Sequence, residues 1–176
     1  SINLNGKAIT IRSTNGAAVT TLDGWKLEDS VVKCLSGEGP STVLDGFTIT
    51  GGYHEPGNPG GGGGVYCSST SPTIIDCIID GNTASSNGGG LFSVWGSPII
   101  DGCTFTNNTA YSGGGIYCVY GTLTISDCII DGNTAYQGLG GGIYGRWDYS
   151  IIDGCIIRNN NANSGGGIYG DGNNQA

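Results

Sequence analysis

Methionine is absent from this 176-residue chain, histidine occurs once, and lysine and arginine together supply six residues. Six scattered cations form no basic stripe, which excludes the phosphate-neutralising surface that nucleic acid needs. Set against 14 Asp+Glu they leave a formal charge of −8, so unaided capture of polyuronates is disfavoured on the same electrostatic ground. Charged residues make up only 11% of the chain, and the surface reads as neutral-polar. One histidine and no Cys-x-x-Cys pair argue against zinc. No apolar run approaches the ~20 residues of a membrane span. No secretory leader is read, and the serine at position 1 reads as a processed or trimmed start. Long helices are nearly excluded by what is abundant. Glycine supplies 36 residues, about one in five against roughly 7% in ordinary proteins, and each costs about 1 kcal/mol in a helix interior. The glycines cluster in runs, which excludes collagen, and a 37% hydrophobic fraction argues against disorder.

A repeat organises the rest. Three glycines followed by an apolar and an aromatic residue occur at Gly62–Tyr66, Gly88–Phe92, Gly113–Tyr117, Gly140–Tyr144 and Gly165–Tyr169, at a near-constant spacing. The same beat carries Cys77, Cys103, Cys128 and Cys155, each followed five residues later by Asn82, Asn108, Asn133 or Asn160. Ile74, Ile100, Ile125 and Ile152 stand three residues before those cysteines. Three short apolar runs per period, separated by glycine turns, predict an all-β right-handed parallel β-helix. It has about 25 residues and three strands per coil, and coils stacked ~4.8 Å apart. Residues 1–176 then form one solenoid of six to seven coils, a rod of roughly 30 Å. Within it 1–42 are irregular first coils, 43–61 a coil with Phe47 in the cysteine column and an inserted loop at 53–60, and 62–176 the regular repeats. Ala8–Ile11 is the clearest early strand.

This pattern resembles the pectate-lyase-like right-handed β-helix superfamily. The repeat itself resembles those of the chlamydial polymorphic outer-membrane proteins, known for a Gly-Gly-Ala-Ile box and a Phe-x-x-Asn box. Gly-Gly-Gly-Ile stands for the first, and Phe105-Thr106-Asn107-Asn108 matches the second literally. Ile79, Ile130 or Ile157 replaces the phenylalanine elsewhere, and the match covers about residues 43–169. The resemblance implies a surface protein, adhesin or passenger segment, while the same solenoid also hosts lyases and hydrolases.

Each repeated column has a packing reading and a chemical one. Asn82, Asn108, Asn133 and Asn160 read as a structural ladder of side-chain amides. The cysteine column reads as buried, reduced core. The odd total of seven leaves at least one thiol unpaired, and Cys67–Cys77 and Cys118–Cys128 are the only plausible bridges. Asp76 and Asp127 directly precede their cysteines whereas Asp101 and Asp153 lie two residues before theirs, which staggers like charges between coils. No cofactor is implied, with Ca²⁺ held by such aspartates as the alternative. Lyase chemistry needs a cation beside a carboxylate, and Arg146 with Asp148 is the best candidate pair. Hydrolase boxes are not met: Asn-Thr-Ala stands at 82–84, 108–110 and 133–135, and His54 falls in the inserted loop. An enzyme is therefore not the leading reading.

Tyr66, Phe92, Tyr117, Tyr144 and Tyr169 should point outward as a stacked aromatic stripe. That stripe reads either as self-stacking or as a platform for sugars or another protein. A second outward column, Thr48, Ile78, Thr104, Ile129 and Ile156, leaves three isoleucines near solvent. Asn107-Asn108-Thr109 is an acceptor sequence for N-glycosylation. No cap is read at either end of the rod. The expectation is an extracellular structural or adhesive solenoid, joined to copies of itself end to end or part of a longer surface protein. The alternative is a carbohydrate-active or carbohydrate-binding β-helix.

Overall fold

A computed structural model describes residues 1–25, 27–55, 61–146 and 150–172. Every strand pairs in parallel with the equivalent strand of the next coil, so the chain winds through the same sheets turn after turn. Sheet 1 has seven strands, Ile2–Asn3, Val32–Cys34, Val65–Ser68, Leu91–Val94, Ile116–Val119, Ile143–Arg146 and Ile168–Asp171. Sheet 2 has six, running from Thr10–Arg12 to Ile151–Asp153, and sheet 3 also has six, from Thr21–Asp23 to Ile156–Arg158. The three strands per coil read from the sequence are thus present. A fourth, narrow sheet adds Tyr53–His54, Thr83–Ala84, Thr109–Ala110 and Thr134–Ala135. Among the described residues the one helix is a 3₁₀ turn at Ala17–Val19, and no helix is long and apolar enough to cross a membrane.

The period-two alternation of a strand decides which residues enter the core. In the middle coils Leu91, Ile100, Phe105 and Ala110 point inward and are fully buried, as are Ile116, Ile125 and Ile130 one coil on. Each such Leu, Ile or Phe side chain contributes about 1.5–3 kcal/mol by leaving water.

The glycine triplet serves two needs. Its first residue turns the chain at positive φ, for example +66° at Gly88 and +61° at Gly113. The next two lie against the neighbouring coil: a Cβ on Gly89 would meet Gly114 O at 2.5 Å, and one on Gly115 would meet Gly142 O at 2.6 Å. Only a residue without a side chain fits there.

Two boundaries differ from the sequence reading. The early strand is Thr10–Arg12, set against Val43–Asp45, rather than Ala8–Ile11. Tyr53 and His54, read as the start of an inserted loop, form a strand beside Thr83–Ala84. The remainder of that loop, 56–60, lies outside the described residues. His54 takes the inward place that alanine holds in later coils, and its imidazole is 2% exposed.

Candidate functional site

The asparagine column is a continuous hydrogen-bonded chain. Asn82, Asn108 and Asn133 are each 0% exposed. The backbone N–H and side-chain amide of Asn82 both donate to Asn108 Oδ1, at 3.0 and 3.1 Å. Asn108 repeats this onto Asn133 Oδ1 at 3.0 Å for both, and Asn133 onto Asn160 Oδ1 at 2.9 and 3.0 Å. The same amides donate back to the Ile49, Ile79 and Phe105 carbonyls. The hydrogen-bonding capacity of these amides is spent within the wall.

The cysteine column makes a second ladder, of sulfur. The N–H groups of Phe47, Cys77 and Cys103 donate to the Sγ of the next coil at 3.5, 3.4 and 3.3 Å. All seven cysteines are thiols, and neither Cys67–Cys77 nor Cys118–Cys128 forms a bridge. The thiols turn along the rod axis instead: Cys67 engages Cys34 of the adjoining strand, which together with burial pushes its pKa well up. Cys77 is held below its ordinary value by the hydrogen bond from Cys103.

The outward aromatic column is a stack. Successive centroids from Tyr66 to Tyr169 lie 5.5, 5.3, 4.6 and 5.7 Å apart, and the last three pairs are within 9° of parallel. From Phe92 to Tyr169 ring faces are therefore turned to one another, while Tyr66 tilts 60° from Phe92. Tyr144 is 5% exposed, and burial pushes the Tyr117 phenol up to about 12. Trp95 and Tyr120 form a second stack, 4.1 Å apart at 9°, and Tyr111 and Tyr136 an edge-on pair at 6.0 Å. Trp95 and Tyr120 hold φ of 58° and 57°, costly for bulky residues, at the turn that leaves sheet 1. Sequence reasoning passed over both pairs, although each keeps the beat of the repeat.

Among the described residues, Trp25 and Tyr53 are the exposed aromatics whose rings stack on no other ring. Both border a cleft of about 370 Å³ that Glu28, Thr83, Gly51 and Gly52 also line. Glu28 sits at φ 53°, outside the columns where left-handed residues recur.

Arg146 lies on the outer face of sheet 1, its Nε 3.5 Å from Asp171 Oδ2. Asp148 lies outside the described residues. No group of three or more His, Cys, Asp or Glu able to hold a metal ion occurs among the described residues. Asp76 and Asp127 alternate with Gly46, Gly102 and Gly154 at positive φ. Their carboxylates occupy the space a Cβ would need on the next glycine, with Oδ1 at 2.5 and 2.4 Å. The stagger of charges is thus also a stagger of volume. Asn107, also at positive φ, is exposed and donates to Asp80 Oδ1 at 3.0 Å.

A buried carboxylate escaped the sequence reading. Glu38 is 1% exposed and accepts the N–H groups of Gly6 and Ser36 at 2.8 Å each. Burial works to raise its pKa, but these donors outweigh it and hold the carboxyl below its ordinary value.

The last described coil is less covered than the one before it. Its inward residues Ile152 and Ile168 are 36% and 48% exposed, where Ile125 and Ile143 one coil earlier are 0% and 2%. No curated protein and no solved structure matches the chain. A family model for the right-handed β-helix region matches residues 7–175. With the parallel coils described above, that match places the chain in the right-handed β-helix family.

Proposed function

We propose that this chain is a structural or adhesive solenoid module, working outside the cell without catalysis and associating end to end with copies of itself. The observation that carries this is the wall itself: its amide, sulfur and aromatic columns bond and stack from coil to coil, and the inward columns run on to Ile152, Ile157 and Ile168 of the last described coil. Each coil laid against the next, in the same chain or another, removes apolar area from water at about 25 cal/mol per Å² and satisfies edge N–H and C=O groups. Head-to-tail contact of identical units is heterologous and open, so it builds a filament. Sedimentation velocity and electron microscopy of the pure chain at rising concentration test it. Growing rods about one coil-stack wide are expected, and a dispersed monomer at millimolar concentration refutes it.

One observation favours a second reading, glycan binding. The free ring faces of Trp25 and Tyr53, with Glu28 and Thr83 beside them, are the groups that stack on a sugar ring and bond its hydroxyls. Titrating neutral oligosaccharides against tryptophan fluorescence tests it. Saturable quenching lost in Trp25→Ala supports it, and quenching unchanged in that variant removes it.

A further inference from the structure

We propose that the cleft bordered by Trp25 and Tyr53 selects sugars that carry a protonated amine, the unacetylated hexosamines, over their neutral counterparts. This rests on the glycan reading above and names the class of sugar.

The cleft spans three coils. Sheet 3 sets Asp23, Thr50 and Asp80 in one column, so the residues that follow them, Gly24, Gly51 and Gly81, stand together in the next. Trp25 and Glu28 come from the first of these coils, Gly51, Gly52 and Tyr53 from the second, and Gly81 and Thr83 from the third. Thr83 pairs with Tyr53 in the narrow sheet. One coil further on the glycine column ends. Asn107 holds that place, and its side chain donates to Asp80 Oδ1 at 3.0 Å. A Cβ on Gly81 would meet nothing closer than Thr50 Oγ1 at 3.7 Å, so the volume that a side chain takes at Asn107 is open at Gly81.

Charge decides which sugar this space suits. Among the described residues that line the cleft, Glu28 is the one that carries a formal charge. It is exposed and forms no hydrogen bond or ion pair with another described residue. Two further carboxylates adjoin the lining glycines. Asp23 Oδ1 accepts the Trp25 N–H at 2.9 Å and stands 2.7 Å from where a Cβ on Gly51 would be, and Asp80 directly precedes Gly81. Arg12 and Lys33, in the same early coils, are already held by Asp45 and Asp29. Such a field repels uronates and draws in a cation. An ammonium on the sugar gains the Glu28 carboxylate and an aromatic face, while the C–H face of the ring stacks on the other aromatic side chain. Acetylation of the amine removes the charge and leaves the stacking.

The test follows tryptophan fluorescence of the 176-residue chain during titration with a linear glucosamine hexamer and with its N-acetylated counterpart. It is run at about pH 6, where a free amine is protonated. The glucosamine hexamer is expected to bind about tenfold more tightly, the ion pair and the cation–π contact each supplying about threefold. That difference should shrink in high salt. Glu28→Gln should reduce the preference about threefold. Gly81→Asn should weaken both hexamers by filling the cleft; Asn107 and Asn159 already stand at positive φ in its column. Asp153→Asn, exposed in the last described coil, changes the net charge equally and should leave the preference as it was. Equal or tighter binding of the acetylated hexamer overturns the amine preference and leaves the glycan reading standing. A preference that Glu28→Gln does not reduce, or that Asp153→Asn reduces as much, also overturns it, and so does undiminished binding in a folded Gly81→Asn. If neither hexamer quenches, both readings fall. Should Gly81→Asn lose its β-sheet circular dichroism, Glu28→Gln against Asp153→Asn decides.

Discussion

Replacing Asn108 by alanine perturbs the middle of the amide ladder. Its side chain accepts two bonds from Asn82 and donates to Ile79 O at 2.8 Å and to Asn133 Oδ1 at 3.0 Å. The Asn82 amide retains Ile49 O and Asp80 O, and Asn133 Oδ1 retains the Asn108 N–H. One group on a fully buried residue is left without a partner, the Asn82 backbone N–H, because the Ile79 carbonyl stands in the sheet 3 ladder opposite Phe105 and keeps its strand bond. At about 1–3 kcal/mol for an orphaned buried group, the loss is about 1–3 kcal/mol. That is a sizeable share of the roughly 5–15 kcal/mol that separates folded from unfolded chains. Urea unfolding followed by circular dichroism should show the midpoint falling by about 1 M. Asn163→Ala, which removes one exposed bond to Gln137 O, should cost under about 1 kcal/mol. Asn108→Asp sharpens the point. It keeps the acceptor but sets a carboxylate against Ile79 O and Asn133 Oδ1, so its folded pKa is raised. Stability is then present below the unfolded value of about 4 and lost as pH rises through the folded one. If Asn108→Ala costs no more than Asn163→Ala, the ladder is not what holds the coils in register.

The Tyr117 phenol, pushed up to about 12 by burial, should titrate above the ordinary value of 10 in alkaline difference spectroscopy. Because its folded pKa lies above its ordinary value of 10, stability is lost as pH rises from 10 towards 12, and Tyr117→Phe removes that loss. His54 is held below its ordinary 6.5 chiefly by burial, so the unfolded chain takes a proton that the folded chain refuses. Thermal midpoints should fall as pH drops through 6.5, less steeply in His54→Ala. Glu38 has the depressed carboxylate case: its contribution is present above 4.5 and lost as pH falls through the lower folded value, and Glu38→Gln should cost about 1–3 kcal/mol at neutral pH in chemical unfolding. Gly115→Ala, whose Cβ would meet backbone at 2.6 Å, should destabilise by about 1–3 kcal/mol or more in the same assay, whereas Gly170→Ala, with open space around it, should stay within about 0.5 kcal/mol.

The near-constant beat of the repeat determined the columns, because a solenoid brings residue i beside its equivalent one coil later and nowhere else. Phe47 in the cysteine column and the inward set Ile74, Ile100 and Ile125 could be named from spacing alone. Where the beat lengthens, that rule loses its grip. Val32 and Val65 pair across a longer stretch of chain than any later neighbours in sheet 1. Tyr53–His54, unlike the Thr-Ala pairs it stands beside, carried no mark of strand in its composition. The orientation of the aromatic rings was also beyond spacing, which places a side chain outside the wall but leaves its torsions to the neighbours. Only the tertiary structure turned the faces of Phe92, Tyr117, Tyr144 and Tyr169 upon one another. It likewise drew Trp25, Glu28, Tyr53 and Thr83 to one cleft and aimed Gly6 and Ser36 at Glu38. These contacts join irregular early coils to a later one. Their geometry depends on where each insertion rejoins the wall, a quantity set by packing and not by the period.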